Sequence, residues 1–384
     1  MSAPLLTWGQ RWRAAALFGL ISSTYSTLVS QLTAGRLGRD ALVDWMIVGS
    51  IALRENGLQM APTWWNALAG LLVHQSADFG WDIVFFFILS RWSHQLGPWM
   101  LLAIAVPWAV FTSGVEWLFL VPVIPFWWPV FTLEQAWWLG LLVHTTAAST
   151  FPFFPYIRDR FAGIKHSPHK RFTAIYAGLA VIGVSILAVL ALAGEQGREL
   201  PHIGRNIAFD QQYMINMSAH HRQGIELATL ATERASDPRL RAIARMMVAT
   251  QESEIRIFEK WWRSWFEGEL PDPAPEQHGN MPGMLTPAEL GEVAQAYGAD
   301  FDQRFIAAMS THHGGAIAMA DQAMKQAGDP RLQIMSHGIR HQQQGDINLM
   351  HGLDGIAAVQ AASRAMFFTD AAPQAPGPAM EQAH

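Results

Sequence analysis

A block of sequence that occurs twice is the strongest constraint on how this chain can fold. Residues 217–221 read Met-Ser-Ala-His-His, and residues 309–313, offset by 92 positions, read Met-Ser-Thr-His-His. The same offset relates Asp-Pro-Arg-Leu at 237–240 to Asp-Pro-Arg-Leu at 329–332. Such a repeat indicates one structural unit built twice. A single unit of this size cannot bury its own apolar face, so we expect the two copies to pack together.

The repeated region predicts four long helices arranged as two hairpins. Apolar residues recur at helical spacing on both sides of each Asp-Pro turn. Asp237 stands where a helix cap belongs and Pro238 at a first helical position, while Thr286 and Glu289 form a capping box before a short helix. Two antiparallel hairpins make a four-helix bundle over residues 207–358. A flexible tail is expected over 359–384.

The N-terminal half has a different character and predicts a membrane domain over residues 1–194, which makes the whole chain all-α. Of the 17 tryptophans, 14 lie before residue 200. About five apolar runs are long enough to cross roughly 30 Å of hydrocarbon. A shorter run, 41–53, is interpreted as interfacial or re-entrant, and the polar stretch 195–206 as a linker. The five predicted spans are 13–33, 64–91, 98–121, 131–153 and 172–193.

Basic residues predict the orientation of these spans. The segment 157–171 carries five Lys and Arg residues, so it should face the cytoplasm. With five spans, the N-terminus is also cytoplasmic, and the bundle lies outside the plasma membrane, in the periplasm or at the cell exterior. The expected partners are the lipid bilayer and a metal ion. Nucleic acid is not expected, because the net charge is −5 and no basic stripe is present.

Five ionisable residues lie at predicted membrane depth: His74, Asp78, Asp82, Glu116 and His144. All but Asp82 form the candidate intramembrane polar site. Ionisable groups in hydrocarbon usually face a partner or a cavity, and often mark a functional site. One interpretation is a haem held by His74 and His144, or a metal path. The alternative is that the two histidines pair with Asp78 or Glu116 for structural reasons.

The chain has no cysteine, so a site for a soft metal would have to use methionine and histidine. Met309 is within helical reach of His312 and His313, and Met319 and Met350 follow. Thioether sulfur with imidazole suits Cu(I) and Ag(I). The alternative is that methionine only fills the core. The eight candidate ligands are Met217, His220, His221, Met309, His312, His313, Met319 and Met350.

The two copies differ in their sulfur content, since Leu227 and Phe258 stand where the second copy has Met319 and Met350. The second copy is therefore the better candidate site. A further group, His337, His341 and His351, falls on the opposite face of its helix. We interpret that group as solvated histidines rather than as a surface metal site.

At these residues the sequence resembles the DUF305 family. Both copies match its pattern of an Asp, a Met, two adjacent His, an acidic-Pro turn and a Gln. The resemblance covers about residues 200–354 and implies a ferritin-like bundle. It also implies copper or silver binding, since some members are periplasmic copper- or silver-binding proteins linked to metal tolerance. Residues 1–194 have no part in this resemblance.

The leading hypothesis is a membrane-anchored, outward-facing protein that sequesters Cu(I) or Ag(I), or hands it to a periplasmic donor or acceptor protein. Catalysis is not expected, because no activated nucleophile or paired carboxylates stand out. One alternative is a membrane transport or redox component, with haem as a cofactor and the bundle as an accessory. The other is a structural methionine-rich bundle without metal.

Overall fold

The computed structural model describes residues 6–123, 128–274 and 280–367, and these ranges contain helices and no strand. Fourteen α-helices longer than four residues lie in these ranges, numbered here in order of sequence. Their bounds are α1 Trp8–Thr33, α2 Ala41–Leu53, α3 Trp64–Ile83, α4 Pro98–Val115, α5 Val130–Glu134, α6 Trp137–Ser149, α7 Phe154–Phe161, α8 Lys170–Glu195, α9 Ile207–Arg234, α10 Pro238–Trp265, α11 Pro287–Gln295, α12 Gly298–Gln326, α13 Pro330–Met350 and α14 Gly355–Phe367.

Three helices of the described ranges are long and apolar enough to cross a membrane, not the five that the sequence predicts. They are Trp64–Ile88, Pro98–Val123 and Lys170–Glu195. The first two extend α3 and α4 through π-helical segments. The third exposes its apolar side chains all round, with no residue buried. Such a surface is compatible with insertion into lipid.

The two remaining predicted spans fail for different physical reasons. Helix α1 has 26 residues, but buried serines replace apolar side chains along one face. The predicted span 131–153 breaks after Glu134 into a five-residue helix and the 13-residue α6. At 1.5 Å per residue, α6 covers only about 20 Å. The predicted interfacial piece, α2, is a 13-residue helix that packs along α3.

The bundle consists of the hairpins α9–α10 and α12–α13, whose caps agree with the sequence analysis. The Asp237 carboxylate accepts from the Arg239 amide, and the Asp329 carboxylate accepts from the Arg331 amide. The capping box of Thr286 with Glu289 is also present. The segment that follows the bundle differs from the prediction, since residues 359–367, assigned to a flexible tail, belong to α14. The rest of that tail, 368–384, lies outside the described residues.

Each hairpin fixes the turn of the other through one aspartate. Asp210 of the first copy accepts hydrogen bonds from the backbone amides of Gly328 at 2.7 Å and Asp329 at 2.9 Å. Asp302 of the second copy accepts from the backbone amides of Ser236 at 2.8 Å and Asp237 at 3.1 Å. These contacts are related by the same 92-residue offset as the sequence. The aspartate that opens each repeat therefore caps the turn of the other repeat.

The N-terminal half, residues 6–195, docks on α13 of the bundle through the short helix α5. Because the sequence predicts a membrane domain there, this half is called the membrane half below. The His341 ring contacts the Thr132 carbonyl at 3.1 Å, and the Trp138 indole donates to His337 at 3.2 Å. The face of α13 predicted to be solvated is thus largely covered. His341 is 1% exposed and only His351 of that group is exposed. The sequence interpretation of His337 and His341 as solvated is wrong, because periodicity within one helix cannot reveal which neighbour covers its outer face.

His341 makes the docked state sensitive to acid. Burial lowers the pKa of His341 from 6.5 to about 3, while its contact with the Thr132 carbonyl opposes that shift. The unfolded state therefore binds more protons than the folded state as pH falls through this window. Stability is expected to be unaffected by this group above pH 6.5 and to fall by about 1.4 kcal/mol per pH unit towards pH 3.

The His341→Gln variant tests this expectation, because glutamine can still donate to the Thr132 carbonyl but does not titrate. Thermal unfolding of the wild type and the variant would be compared between pH 7.5 and pH 4. We expect the difference between their melting temperatures to change across that range. A difference in melting temperature that stays constant between pH 7.5 and pH 4 would contradict the lowered pKa of His341.

The basic segment and the bundle lie at opposite ends of α8. The segment with Arg158 and Arg160 precedes its N-terminal end, whereas the Glu199 carboxylate, just past its C-terminal end, pairs with Arg36 at 3.3 Å. The bundle contacts the same end of the membrane half, where the Arg245 guanidinium donates to the Leu58 carbonyl at 2.8 Å. A second contact runs in the opposite direction, since Arg39 of the membrane half donates to the side-chain oxygen of Gln342 in the bundle at 3.3 Å. Arg39 of the membrane half is thus a contact residue for the bundle.

Candidate metal centre

Two pairs of adjacent histidines face each other where α9 and α12 cross. The rings of His220 and His312 lie 3.9 Å apart between centroids, and all four imidazoles are fully buried. The His312 Nε2 atom is 3.0 Å from the His220 carbonyl, and the His220 Nε2 atom is 3.1 Å from the Pro282 carbonyl. The tertiary structure therefore brings both predicted His-His motifs into one region.

The second histidine of each pair points its Nε2 atom at a carboxylate. His221 Nε2 is 2.7 Å from Glu254, and His313 Nε2 is 3.0 Å from Asp346. Glu254 and Asp346 occupy equivalent positions in the two copies. The sequence analysis missed both as histidine partners, although an acidic residue at the same offset in each repeat was a usable signal.

These contacts leave the other ring nitrogen of each histidine as the potential metal ligand. An Nε2 atom that faces an oxygen acceptor carries the hydrogen, so the lone pair resides on Nδ1. The Nδ1 atoms of His221, His312 and His313 are buried and have no hydrogen-bond partner, and the Nε2 atom of His221, although 2.7 Å from Glu254, makes no hydrogen bond either. Burial also lowers the pKa of His312 well below its usual value, and nearby histidines lower it further. His312 is therefore neutral, which is the form that binds metals.

The candidate thioethers are distributed between two apolar clusters that mix the copies. Met309 and Met350 belong to a cluster that also contains Leu227. Met217 belongs to the other cluster, together with Met319 and Phe258. The second copy's Met319 thus lies on the side of the first copy's Met217. The two copies differ in their number of candidate sulfur ligands, but the two clusters do not, because each contains two of these sulfurs.

Two buried glutamines add unsatisfied polar atoms to this region. Both amide atoms of Gln251 and Gln343 lack a hydrogen-bond partner. A Cβ at Gly224 would lie 2.3 Å from the Gln251 oxygen and 2.9 Å from the His312 ring, so glycine permits this close approach. Buried polar groups without partners are rare in folded proteins, and a bound ion is one recognised explanation.

No three His, Asp or Glu side chains in the described ranges converge as a metal-binding group. Nitrogen and oxygen ligands alone therefore do not form a site here. The residues fit a metal ion only if thioethers complete the ligand set. Neutral imidazole with thioether sulfur is a donor set for a soft monovalent ion.

The four residues of the candidate intramembrane polar site form a separate cluster. His144 contacts Glu116 through Nε2 at 3.2 Å and Thr112 through Nδ1 at 3.0 Å. His74 Nε2 lies 3.6 Å from Asp78, and the Ser26 hydroxyl donates to the Asp78 carboxylate. Both nitrogens of His144 are engaged, so this geometry favours pairing of the histidines with carboxylates over a haem held by both rings.

Comparison with known proteins gives a match for the bundle. The family model described as "Domain of unknown function (DUF305)" matches residues 210–353. No curated protein matches the chain. The match begins after the membrane half.

Three solved structures illustrate the similarity. A putative secreted DUF305 protein from Streptomyces coelicolor is 26% identical, with 37% of this chain and 88% of that chain covered and a TM-score of 0.34. A DUF305 fragment from Deinococcus radiodurans is 25% identical, with 40% and 97% covered and a TM-score of 0.36. CopM in the Cu(I)-bound form is 27% identical, with 37% and 92% covered and a TM-score of 0.33. Over residues 210–353, this chain is similar to the DUF305 family.

Proposed function

We propose that this protein binds Cu(I) or Ag(I) in its bundle, for sequestration or for handover to a donor or acceptor protein. One observation carries the proposal. The buried His312 and His313 each hydrogen-bond an oxygen acceptor through Nε2 and leave Nδ1 without a partner, and neither ring nitrogen of the buried His221 is hydrogen-bonded. The candidate methionines on the same helices are buried as well. Neutral nitrogen with thioether sulfur, in the absence of thiolate, favours Cu(I) and Ag(I).

We further propose that the chain is anchored in the plasma membrane with the bundle outside the cytoplasm. The position of the basic segment at the far end of α8 from the bundle supports this orientation. The proposed role is binding and not catalysis. Its expected ligands are the eight residues identified from the sequence, with Glu254 and Asp346 orienting His221 and His313.

A competition titration with a chromophoric Cu(I) chelator, on the full-length protein in detergent, tests the metal-binding proposal. The double variant Met309→Leu with His313→Ala should bind Cu(I) at least about 100-fold more weakly, which corresponds to about 2.7 kcal/mol. The size-conserving change at Met309 should cost less than about 1.5 kcal/mol of stability. Thermal unfolding would verify that the double variant is folded.

The matched control is Met335→Leu, which removes a buried thioether outside the candidate set. Its Cu(I) affinity should stay within about twofold of the wild type. If the double variant bound Cu(I) as tightly as Met335→Leu, the methionines would be core residues only. The alternative of a structural bundle without metal would then replace the proposal.

A further inference from the structure

Asp346, the carboxylate that accepts from His313, has a second neighbour, which comes from the membrane half. Helix α5 packs along α13 and places the fully buried side chain of Glu134 beside Asp346. The approach depends on glycine at position 345, where a Cβ would lie 3.2 Å from the Glu134 Oε1 atom. The equivalent position of the first copy is Ser253. The contact with Glu134 therefore belongs to the second copy.

The two carboxyl groups share one proton. Within the described ranges, no nitrogen or hydroxyl donor reaches either oxygen of Glu134 or the Oδ1 atom of Asp346. Two carboxyl groups that meet in a buried site do not both ionise, so one keeps its proton and donates it to the other. Burial, together with the charge of Asp346 and a hydrogen bond to it, raises the pKa of Glu134 well above its usual range.

Glu134 is the member of the pair that carries the proton. Burial raises the pKa of Asp346 as well, but the hydrogen bond from His313 opposes that shift. The His313 Nε2 atom lies 3.0 Å from the Asp346 Oδ2 atom. Asp346 is therefore the charged member, and it accepts one hydrogen bond from Glu134 and one from His313.

This arrangement affects His313 as a ligand. A histidine that donates one ring hydrogen to a carboxylate is held in one tautomer and one orientation, and its other nitrogen binds metals more strongly. The Nδ1 atom of His313 is the nitrogen left over. The donor on Glu134 satisfies the second oxygen of Asp346, and a fully satisfied buried network is more rigid than one with a missing partner.

The membrane half also approaches the carboxylate that serves the first copy. Arg39 and Glu254 line the same small cavity where the two halves meet, and their charges attract each other. Glu254 lies 2.7 Å from the His221 Nε2 atom. Each carboxylate beside a candidate histidine ligand therefore has a neighbour from the membrane half, a neutral carboxyl at Asp346 and a guanidinium at Glu254.

We propose that Glu134 is a positioning residue of the metal centre. Its carboxyl donates to Asp346 and thereby holds His313 in the tautomer that leaves Nδ1 for the ion, so that docking of the membrane half and binding of Cu(I) strengthen each other. This inference rests on the proposed function. The coupling is reciprocal, because a contact that raises the affinity for an ion is itself stabilised by that ion to the same extent.

A competition titration with a chromophoric Cu(I) chelator, on the full-length protein in detergent, tests the role of Glu134. Glu134→Leu removes the donor and should weaken Cu(I) binding at least about tenfold, the usual scale for loss of a residue that orients a metal ligand. Glu134→Gln is the matched control, because its amide is neutral, has a similar shape and can still donate to Asp346. Its Cu(I) affinity should stay within about threefold of the wild type. Thermal unfolding verifies that both variants are folded.

A double-mutant cycle separates the positioning of His313 from a general effect on packing. In the His313→Ala background, Glu134→Leu should change the Cu(I) affinity by less than about twofold, because the histidine through which Glu134 acts is gone. An equal loss in both backgrounds would overturn the proposal, and so would wild-type affinity for Glu134→Leu. Equal weakening by Glu134→Gln and Glu134→Leu would also overturn it, since the site would then require a charged carboxylate at this position.

Hydrogen–deuterium exchange of the wild type tests the coupling without any substitution. Saturating Cu(I) should slow exchange of the backbone amides of α5 by roughly tenfold, because an ion bound more tightly in the docked state stabilises docking by the same factor. Unchanged exchange in α5 would refute the coupling while the binding function stands. If the wild type binds no Cu(I), the proposed function itself fails, and the role of Glu134 fails with it.

Discussion

Replacing Gly345 by alanine should stabilise the isolated bundle and destabilise the full-length protein. Within a helix, alanine is favoured over glycine by about 1 kcal/mol, so a fragment of residues 200–367 should gain about that amount. In the intact chain, a Cβ at this position would lie 2.1 Å from the Leu133 carbonyl oxygen. Relief of that overlap requires α5 to move and should cost about 1–3 kcal/mol or more.

Thermal unfolding of the fragment and of the full-length protein measures whether Gly345→Ala changes their stability in opposite directions. Limited proteolysis at the junction of the two halves reports whether α5 has moved. Gly338→Ala is the matched control, since it lies in the same helix and its Cβ would meet only Arg39, at 3.9 Å. It should stabilise the fragment without destabilising the full-length chain. A stabilising effect of Gly345→Ala in the full-length protein would show that α5 does not dock on the bundle.

Asp210→Ala should cost about 3–5 kcal/mol of folding free energy, the largest effect we expect from a single substitution. The carboxylate is fully buried and accepts from two backbone amides and from His202 at 2.7 Å. Its removal leaves buried donors without a partner, and hydrogen bonds to a charged group are worth about 1.5–3 kcal/mol each. Urea unfolding of residues 200–367 measures the change as a shift of the midpoint.

The equivalent substitution, Asp302→Ala, should cost less, about 1–2 kcal/mol, because the Asp302 contacts are exposed to solvent. Asp300→Ala, at an exposed position two residues earlier, is the control and should change stability by less than about 0.5 kcal/mol. Equal midpoints for Asp210→Ala and Asp300→Ala would refute the reciprocal capping of the two turns. A loss of Cu(I) binding by folded Asp302→Ala would indicate a role for that aspartate beyond capping.

Local features of the fold could be predicted because they depend on neighbours in sequence. The caps at Asp237 and Asp329 and the capping box at Thr286 involve contacts over two or three residues. The apolar runs of residues 64–91 and 98–121 likewise correspond to long apolar helices. The predicted span 131–153 is not one continuous helix, because it breaks after Glu134 into two shorter helices.

The candidate metal centre also combines features that the sequence predicts with features that depend on contacts between distant residues. The sequence identified both pairs of adjacent histidines in the repeat, and both pairs are buried. The sequence did not predict that the first copy's Met217 would share a cluster with the second copy's Met319, because that arrangement results from the packing of one hairpin on the other. Nor did it predict the docking of α5 on α13, which buries His341.

The sequence by itself determined the all-helical architecture, the duplicated His-His motifs and the contrast between an apolar half and a bundle. These follow from periodicity and composition, which act over one or two helical turns. Only the tertiary structure decided which nitrogen of each buried histidine remains available, which sulfurs lie together and how the membrane half reaches the bundle. The reason is that those properties depend on contacts between groups far apart in the chain, whose directions are set when the hairpins pack and α5 inserts against Gly345.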